Sequence, residues 1–281
     1  MISRFMGIEY GNGACAVPHT TGVSPAGAPG VIKKMFPNAQ WTMVTPEPST
    51  LATCIADRFA ENAPVQKMIY ENTTDLRHIM IGGDHSVNFG HFAALADHMP
   101  DTDLCMVYID AHFDIHNPTT SRIQATGAPH GCNVRALMGD GDERWMNLVK
   151  HTPSLKPENI FYIGVRSFEP AEAEFVNTQH IFVRYANQLQ TTNDVQKTVE
   201  SVRQQIANRP FVLSFDFDSI DPKFFPDVLV PANGGISVDT AKYMVESFAN
   251  ANFFEFVEYA PNGDGASADI VRTLITIAMN S

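Results

Sequence analysis

The chain has 281 residues, 44% of them hydrophobic, and a formal net charge of −12 from 31 acidic and 19 basic side chains. This length and apolar content are sufficient for a large core, and we expect one domain over residues 1–281. The acidity and the lack of a basic cluster argue against nucleic acid and anionic membrane surfaces as partners.

The sequence has no stretch that approaches the ~20 apolar residues of a membrane span, and its first residues lack the pattern of a signal peptide. The cysteines have neither paired nor zinc-type spacing, so we expect free thiols: Cys15, Cys54, Cys105 and Cys132. These features predict a cytoplasmic protein without a membrane partner.

Short apolar runs typical of buried strands alternate with helix candidates along the chain. The strand candidates are 41–44, 79–81, 104–109, 160–163, 181–183, 211–215 and 253–257. The helix candidates are 48–60, 89–98, 171–177, 194–207, 238–249 and 268–279. This alternation predicts an α/β fold, a mostly parallel sheet covered by helices on both faces. Two segments rich in Gly and Pro, 22–37 and 222–235, are expected to be loops packed near the site.

Three of the strand candidates end in clusters of histidine and aspartate. The run 79–81 is followed by Gly-Gly-Asp-His-Ser, whose glycines allow a tight turn that brings His85 to the end of the strand. After 104–109 the chain reads Asp-Ala-His-Phe-Asp, and in an extended strand Asp110, His112 and Asp114 would share one face. Asp216 and Asp218 alternate in the same way after the run 211–215.

Carboxylates crowded on one surface repel each other and resist desolvation unless a cation compensates them. Two solvated acidic loops are the alternative, but the apolar run before each cluster argues against it. Two imidazoles and four carboxylates are too rich in oxygen for a structural zinc site and favour a pair of Mn²⁺ ions. Two such ions lower the pKa of a shared water until hydroxide exists at neutral pH, which predicts a hydrolase.

The three motifs, Gly-Gly-Asp-His-Ser, Asp-Ala-His-x-Asp and Ser-Phe-Asp-x-Asp-x-x-Asp-Pro, resemble in order and separation those of the ureohydrolase family. This family contains arginases, agmatinases and related hydrolases of guanidino and formimino groups. The resemblance extends from about residue 22 to the end of the chain. It implies an arginase-like, three-layer α/β/α sandwich with two Mn²⁺ per chain, and hydrolysis of a guanidinium to urea and an amine.

The resemblance also implies how the ligands are shared between the two ions. One ion would be held by His85, Asp110, Asp114 and Asp216, and the other by Asp110, His112, Asp216 and Asp218. Asp110 and Asp216 would then bridge the ions. Asp114 is also our candidate for the group that accepts a proton from the attacking water.

Further resemblances indicate residues that act on the substrate. His130, in a His-Gly pair of the long loop 113–130, matches a family histidine that protonates the leaving amine, and Thr126 lies where arginases contact the substrate carboxylate. Glu258, in Glu-Tyr-Ala-Pro, matches the glutamate that binds the guanidinium through two oxygens. Glu169 falls where arginases carry an aspartate for the substrate's α-amino group, and its longer side chain is a departure.

Other departures leave the substrate open. His116 stands where arginases have asparagine, the loop 226–235 lacks the usual Gly-Thr-Gly-Thr-Pro, and Arg122 is either a solvated charge or a reader of a carboxylate. We expect a small cationic guanidino substrate, arginine first and agmatine second. A formimidoylglutamase, another guanidino-acid hydrolase, or a metal-binding relative without catalysis are the alternatives. The resemblance implies a homotrimer or homohexamer.

Overall fold

The computed structural model describes residues 1–14, 24–47, 55–121, 127–262, 265 and 267–281. The strands are β1 (Arg4–Ile8), β2 (Gln40–Val44), β3 (Ile79–Ile81), β4 (Cys105–Ile109), β5 (Ile160–Val165), β6 (Phe182–Tyr185), β7 (Phe211–Asp216) and β8 (Phe253–Val257). They form one sheet of eight strands in the order β2-β1-β3-β8-β7-β4-β5-β6, and every neighbouring pair is parallel.

The helices lie between the strands along the chain, except for α9, which follows β8. They are α1 (Ala28–Met35), α2 (Ile55–Asn72), α3 (Asn88–His98), α4 (Asn133–Leu137), α5 (Glu143–Met146), α6 (Pro170–Thr178), α7 (Thr192–Ile206), α8 (Val238–Ser247) and α9 (Ala268–Met279). In the described part of the chain, no helix combines the length and the apolar character that crossing a membrane requires.

The sheet is buried on both faces, as strand β4 shows. Cys105, Val107 and Ile109 pack into a cluster that includes residues of α1, α7, α8 and α9. Met106 and Tyr108, which point the other way, pack into a second cluster with residues of α2 to α6. Because both faces are covered, the strand is apolar throughout rather than alternating. The predicted α/β/α sandwich is thereby confirmed.

The sequence-based prediction was wrong at the N-terminal end. It missed β1, where the residues after the exposed Arg4 are all buried. It also assigned 22–37 to a loop, but the described part of that segment contains α1. Pro29 lies in the first turn of this helix, where a missing N–H costs nothing, and Ile32 supplies a buried face.

The helix predicted over 48–60 is longer at its C-terminal end than expected. Residues 48–54 lie outside the described part of the chain, and α2 continues past residue 60 to Asn72 with Pro64 inside it. Three buried hydrogen bonds secure this second half to the segment after β3, and a fourth lies within the helix. Gln66 donates to Asn62 Oδ1 and to the carbonyl of Ser86, Asn62 donates to Ser86 Oγ, and Gly90 N–H donates to Gln66 Oε1.

A buried carboxylate, Glu255, lies in the middle of β8 with no exposed surface. Asn88 donates to its Oε2, and His91 Nδ1 lies 2.5 Å from its Oε1. The other ring nitrogen of His91 lies 2.7 Å from His78 Nε2, while His78 Nδ1 lies 2.7 Å from the carbonyl oxygen of Leu76. Burial lowers the pKa of His78 to about 4, so this ring is neutral. Every contact is satisfied when His91 donates its Nε2 proton to His78 and one proton lies between His91 Nδ1 and Glu255 Oε1.

Replacing Glu255 alone should therefore lower the free energy of unfolding. Glu255→Leu leaves the donors of His91 and Asn88 buried without a partner, and we expect a loss of about 3 to 5 kcal/mol in the free energy of unfolding. Urea denaturation followed by circular dichroism measures this loss. The double variant H91L/E255L is the control, because it removes both polar partners and should recover at least half of the loss. A single variant as stable as the wild type would contradict this account.

Candidate functional site

Four adjacent strands at the centre of the sheet, β3, β8, β7 and β4, deliver polar residues to its carboxyl edge. His85 follows β3, Glu258 follows β8, Asp216 is the last residue of β7, and Asp110 follows β4. Ligands of parallel α/β sheets bind at this edge. The three sequence motifs therefore meet at one place, although up to 130 residues separate them along the chain.

The local conformation differs from the extended one that the sequence predicted. After β4 the chain leaves the strand at Asp110, and Asp114 has a φ of 50°. After β7 the residues Phe217–Ser219 form a 3-10 helix. Tight turns position the ligands, because Asp110 Oδ1 accepts the N–H of His112 and Asp216 Oδ1 accepts the N–H of Asp218, at 2.6 and 2.7 Å. The side chains converge through these turns and not through strand alternation.

The first group of side chains surrounds one ring nitrogen of His85. Its Nδ1 lies 3.0 Å from Asp110 Oδ2, 3.0 Å from Asp216 Oδ2 and 3.3 Å from Asp114 Oδ2. One N–H could satisfy only one of three carboxylate oxygens. His85, Asp110 and Asp216 each offer a ligand atom within 4.8 Å of the others, a spacing that suits a single ion.

The contact on the opposite side of the His85 ring also indicates that this group binds an ion. His85 Nε2 lies 3.0 Å from Ser214 Oγ in the buried interior. When the Nε2 proton is donated to this hydroxyl, the Nδ1 lone pair faces the carboxylates. A lone pair and negative oxygens around one small volume repel each other, and a bound cation removes that repulsion.

The second group consists of Asp110, His112 and Asp218, whose ligand atoms also lie within 4.8 Å of one another. His112 Nδ1 lies 3.0 Å from Asp218 Oδ2 and 3.5 Å from Asp110 Oδ1. Asp110 belongs to both groups and offers a different oxygen to each. In the described residues Asp216 meets the spacing only in the first group, so its predicted bridging position stays a prediction.

The electrostatics of the cluster indicate that it needs a cation. Burial, followed by the charges of Asp218 and Asp110, raises the pKa of Asp216 well above its usual value. Burial and the charge of Asp110 likewise raise the pKa of Asp114 to about 7. Burial also opposes ionisation of Asp110, but hydrogen bonds from His112 and His85 outweigh it and lower its pKa. Divalent ions would replace protons as the compensating charge.

Glu258 and His130 lie beside this cluster. Glu258 has a φ of 65°, and its backbone N–H donates to the carbonyl of Gly83 at 2.7 Å. Its Oε1 accepts the N–H of His85 at 2.9 Å and lies 3.7 Å from His130 Nδ1. Within the described residues its buried Oε2 has no hydrogen-bond partner. Burial lowers the pKa of His130, but the hydrogen bond and charge of Glu258 outweigh it and raise the pKa to about 9.

The residues predicted to contact the tail of the substrate form a separate group. His116 is buried, and its Nε2 lies 3.3 Å from Glu169 Oε1 and 3.4 Å from Glu172 Oε2. Its Nδ1 lies 3.0 Å from the hydroxyl of Thr120. Ser121 also donates to Glu169 Oε1. Thr126 and Arg122, the other residues named for the tail, lie outside the described part of the chain.

The sequence analysis assigned no role to Arg166, which holds the loop after β7. Its guanidinium donates to the carbonyls of Asp218 and Ala232 at 2.7 Å, and also to that of Ser219 at 3.2 Å. This fork joins the turn that carries a candidate ligand to the atypical loop 226–235. The signal in the sequence was Gly-Val-Arg at the end of β5, but it gave no partner for the arginine.

Asp84 was also passed over, although it precedes a predicted ligand. Its carboxylate accepts the backbone N–H of Gly13 at 2.8 Å and that of Ser86 at 2.9 Å. Burial, together with the charge of Glu258, raises its pKa to about 6. Its position within Gly-Gly-Asp-His-Ser was visible in the sequence, but only the structure shows that it joins the N-terminal segment to the turn of His85.

The arginase family's model matches residues 43–280 of this chain. The chain belongs to the arginase family. An arginase of Brevibacillus brevis is 32% identical over 187 residues, which are 65% of this chain and 61% of that protein. The match therefore spans less than two thirds of the length of that relative.

Solved structures share the fold at lower identity. Arginase of Entamoeba histolytica, in complex with L-ornithine, has a TM-score of 0.84 at 22% identity and covers 100% of both chains. Formimidoylglutamase of Bacillus subtilis has a TM-score of 0.72 at 15% identity, over 100% of this chain and 87% of its own. At these identities the likeness shows the fold, which is common to members with different substrates.

Asp110 should matter for metal binding in both groups, because it belongs to each of them. We expect Asp110→Asn to weaken both Mn²⁺ sites by more than about 100-fold, and His112→Asn to weaken only one. Calorimetric titration of the metal-free protein measures both sites.

The control is Asp221→Asn, close to the cluster but outside both groups. Its carboxylate accepts the backbone N–H groups of Lys223 and Gly234. This variant should bind Mn²⁺ like the wild type. Two intact sites in Asp110→Asn would refute the shared position of Asp110.

Proposed function

We propose that this chain is a dimanganese hydrolase of a guanidino compound, with arginine hydrolysed to ornithine and urea. The observation that carries this proposal is the pair of ligand groups that share Asp110, with Glu258 and His130 beside them. Membership of the arginase family supports the reaction class. The two ligand groups alone would also suit other dinuclear hydrolases. Glu258 and His130 are the residues that favour a guanidino substrate among these classes.

The proposed ligands are His85, Asp110, Asp114 and Asp216 for one ion and Asp110, His112, Asp216 and Asp218 for the other. Two imidazoles and four carboxylates form a mostly hard donor set, which favours Mn²⁺ over zinc. When bound, the two ions compensate the buried carboxylates and lower the pKa of a shared water. The remaining steps fall to side chains of the chain itself.

Glu258 binds and orients the substrate in this proposal. A guanidinium is a planar fork of donors that pairs with two carboxylate oxygens at once. Glu258 Oε2 is buried without a hydrogen-bond partner in the described residues, and a buried acceptor of this kind is costly unless a ligand completes it. Oε1 is held by the N–H of His85, so the carboxylate is fixed relative to a ligand of the first group.

Asp114 and His130 move protons in the proposed reaction. Asp114 accepts a proton from the attacking water, for which a carboxylate beside the cluster is suited. His130 then donates a proton to the leaving amine. Since the neighbouring Glu258 keeps the pKa of His130 at about 9, the imidazolium form is populated at neutral pH. The separation of 3.7 Å between His130 Nδ1 and Glu258 Oε1 supports this role, because a guanidinium bound to Glu258 would lie near the donor.

The tail of the substrate would be recognised by Glu169 and His116, together with Thr126. Glu169 is partly exposed, and it is the carboxylate proposed for the α-amino group. His116, which lies between Glu169 and Glu172, would hold Glu169 in place. Thr126 is proposed to contact the α-carboxylate that arginine has and agmatine lacks, and Arg122 is a second candidate for that role.

Agmatine is the second candidate substrate and formimidoylglutamate the third. The departures at His116 and in the loop 226–235 support these alternatives, and the fold is shared with a formimidoylglutamase. A relative without catalysis is less favoured, because His130 and Glu258 accompany the full set of six metal ligands. One domain over residues 1–281, a cytoplasmic location and a trimer or hexamer remain predictions.

The experiment is a turnover panel with manganese-loaded protein. The substrates are arginine, agmatine, 4-guanidinobutyrate, 3-guanidinopropionate and formimidoylglutamate, and the products are urea for the guanidino compounds and formamide for the last. We expect arginine to have the highest kcat/KM, because the proposed tail residues can serve both its α-amino and α-carboxylate groups. The substrate assignment would be overturned if formimidoylglutamate released formamide faster than every guanidino compound released urea.

The panel also needs a variant that shows whether the measured turnover comes from this site. His130→Asn keeps all six ligands and should bind two ions like the wild type, while kcat falls about 10²- to 10⁴-fold because protonation of the leaving amine is lost. Turnover that is unchanged in His130→Asn would remove this residue from the mechanism or point to a contaminating enzyme.

A further inference from the structure

Tyr108 lies in β4, two residues before Asp110, and the sequence suggested only an apolar residue of a buried strand. It has no exposed surface. Its ring is stacked on the imidazole of His85, with ring centroids 4.5 Å apart and planes 3° apart. Its hydroxyl oxygen lies 2.9 Å from Asp114 Oδ2 and 3.0 Å from His85 Nδ1. The side chain therefore touches two candidate ligands of the first ion.

The hydroxyl carries one proton and has two acceptors within reach. If the Nδ1 lone pair of His85 binds an ion, only the Asp114 carboxylate can accept that proton. Asn133 Nδ2 donates to the same oxygen of Asp114 at 3.2 Å.

We propose that Tyr108 is a positioning residue of the metal centre, whose hydroxyl fixes the orientation of the Asp114 carboxylate through the hydrogen bond to Oδ2. This inference rests on the proposed function, because it takes Asp114 as a ligand and proton acceptor. The contact lies outside the metal ligands, where such partners commonly set ligand geometry.

The geometry predicts an effect on one ion only. Tyr108 touches His85 and Asp114, both of the first group. Among the described residues, Tyr108 makes no hydrogen bond or ring contact with His112 or Asp218, which belong to the second group. Loss of the hydroxyl should therefore weaken the first site and leave the second unchanged. A general loss of packing would affect both sites.

Tyr162 provides a matched control. It lies next to Tyr108 on β5, in register with it, and is equally buried. The two rings are 5.2 Å apart in an edge-to-face arrangement. The Tyr162 hydroxyl donates to the backbone carbonyl of Phe113 at 2.7 Å, so its removal costs one buried hydrogen bond without touching a ligand.

The test compares Tyr108→Phe with Tyr162→Phe in calorimetric Mn²⁺ titrations of metal-free protein. In Tyr108→Phe we expect one site to weaken about 10- to 100-fold and the other to change less than about 3-fold. In Tyr162→Phe both sites should match the wild type. The melting temperatures of the two metal-free variants should be similar, because each loses a buried hydrogen bond that its hydroxyl donates and the second contact of Tyr108, from Asn133 at 3.4 Å, is long.

A double-mutant cycle tests whether Tyr108 acts through Asp114. In an Asp114→Asn background, Tyr108→Phe should change Mn²⁺ affinity less than about 3-fold, because the carboxylate that it orients is gone. At saturating Mn²⁺, Tyr108→Phe should lower kcat and leave KM unchanged, since no contact with the substrate is lost. Replacing Tyr108 by 4-fluorophenylalanine, which fills most of the hydroxyl volume but cannot donate, serves if the phenylalanine variant does not fold.

Three results would overturn the inference. The first is a Tyr108→Phe variant with both sites intact. The second is an equal loss in Tyr162→Phe, and the third is an equal loss in the Asp114→Asn background. Each of these leaves the proposed function standing, provided that wild-type protein binds two ions and releases urea. Wild-type protein that binds no ion would refute both proposals together.

Discussion

The repulsion among four buried aspartates is the constraint on which the rest of this structure depends. Asp110, Asp114, Asp216 and Asp218 lie within one small volume at the carboxyl edge of the sheet, and little of any of them is exposed. Ionised carboxylates in such surroundings are costly unless positive charge accompanies them. This cost raises the pKa values of Asp114 and Asp216 in the metal-free protein. Bound cations would allow all four aspartates to be ionised at neutral pH.

The order of the strands brings these charged residues together. The central strands β3, β8, β7 and β4 are neighbours, and each has a residue of the site at or near its carboxyl end. Both faces of the sheet are covered by helices, so the edge of the strands is the open place where ligands can enter. Tight turns after the strands then set the direction of each carboxylate, and buried partners such as Ser214 and Asn133 hold the ligands from behind.

Much of the site could be predicted from sequence because its residues follow strands directly. Strand ends fix where Asp110 and Asp216 lie, whatever the chain does next, so the predicted cluster formed although the extended alternation was wrong. Arg166 and Tyr108 could not be assigned, since their partners are carbonyls and a carboxylate that only the tertiary fold brings near. The helix at Ala28–Met35 was missed because Gly and Pro suggest a loop, whereas a proline in the first turn is compatible with a helix.

The most direct test of the central claim is to locate the ions in crystals grown with Mn²⁺, using anomalous diffraction at the manganese absorption edge. The account predicts two peaks for each chain, one among His85, Asp110 and Asp216 and the other among Asp110, His112 and Asp218, with Asp110 between them. A chain with no peak at these side chains, or with a single peak that leaves His112 and Asp218 without an ion, would contradict it.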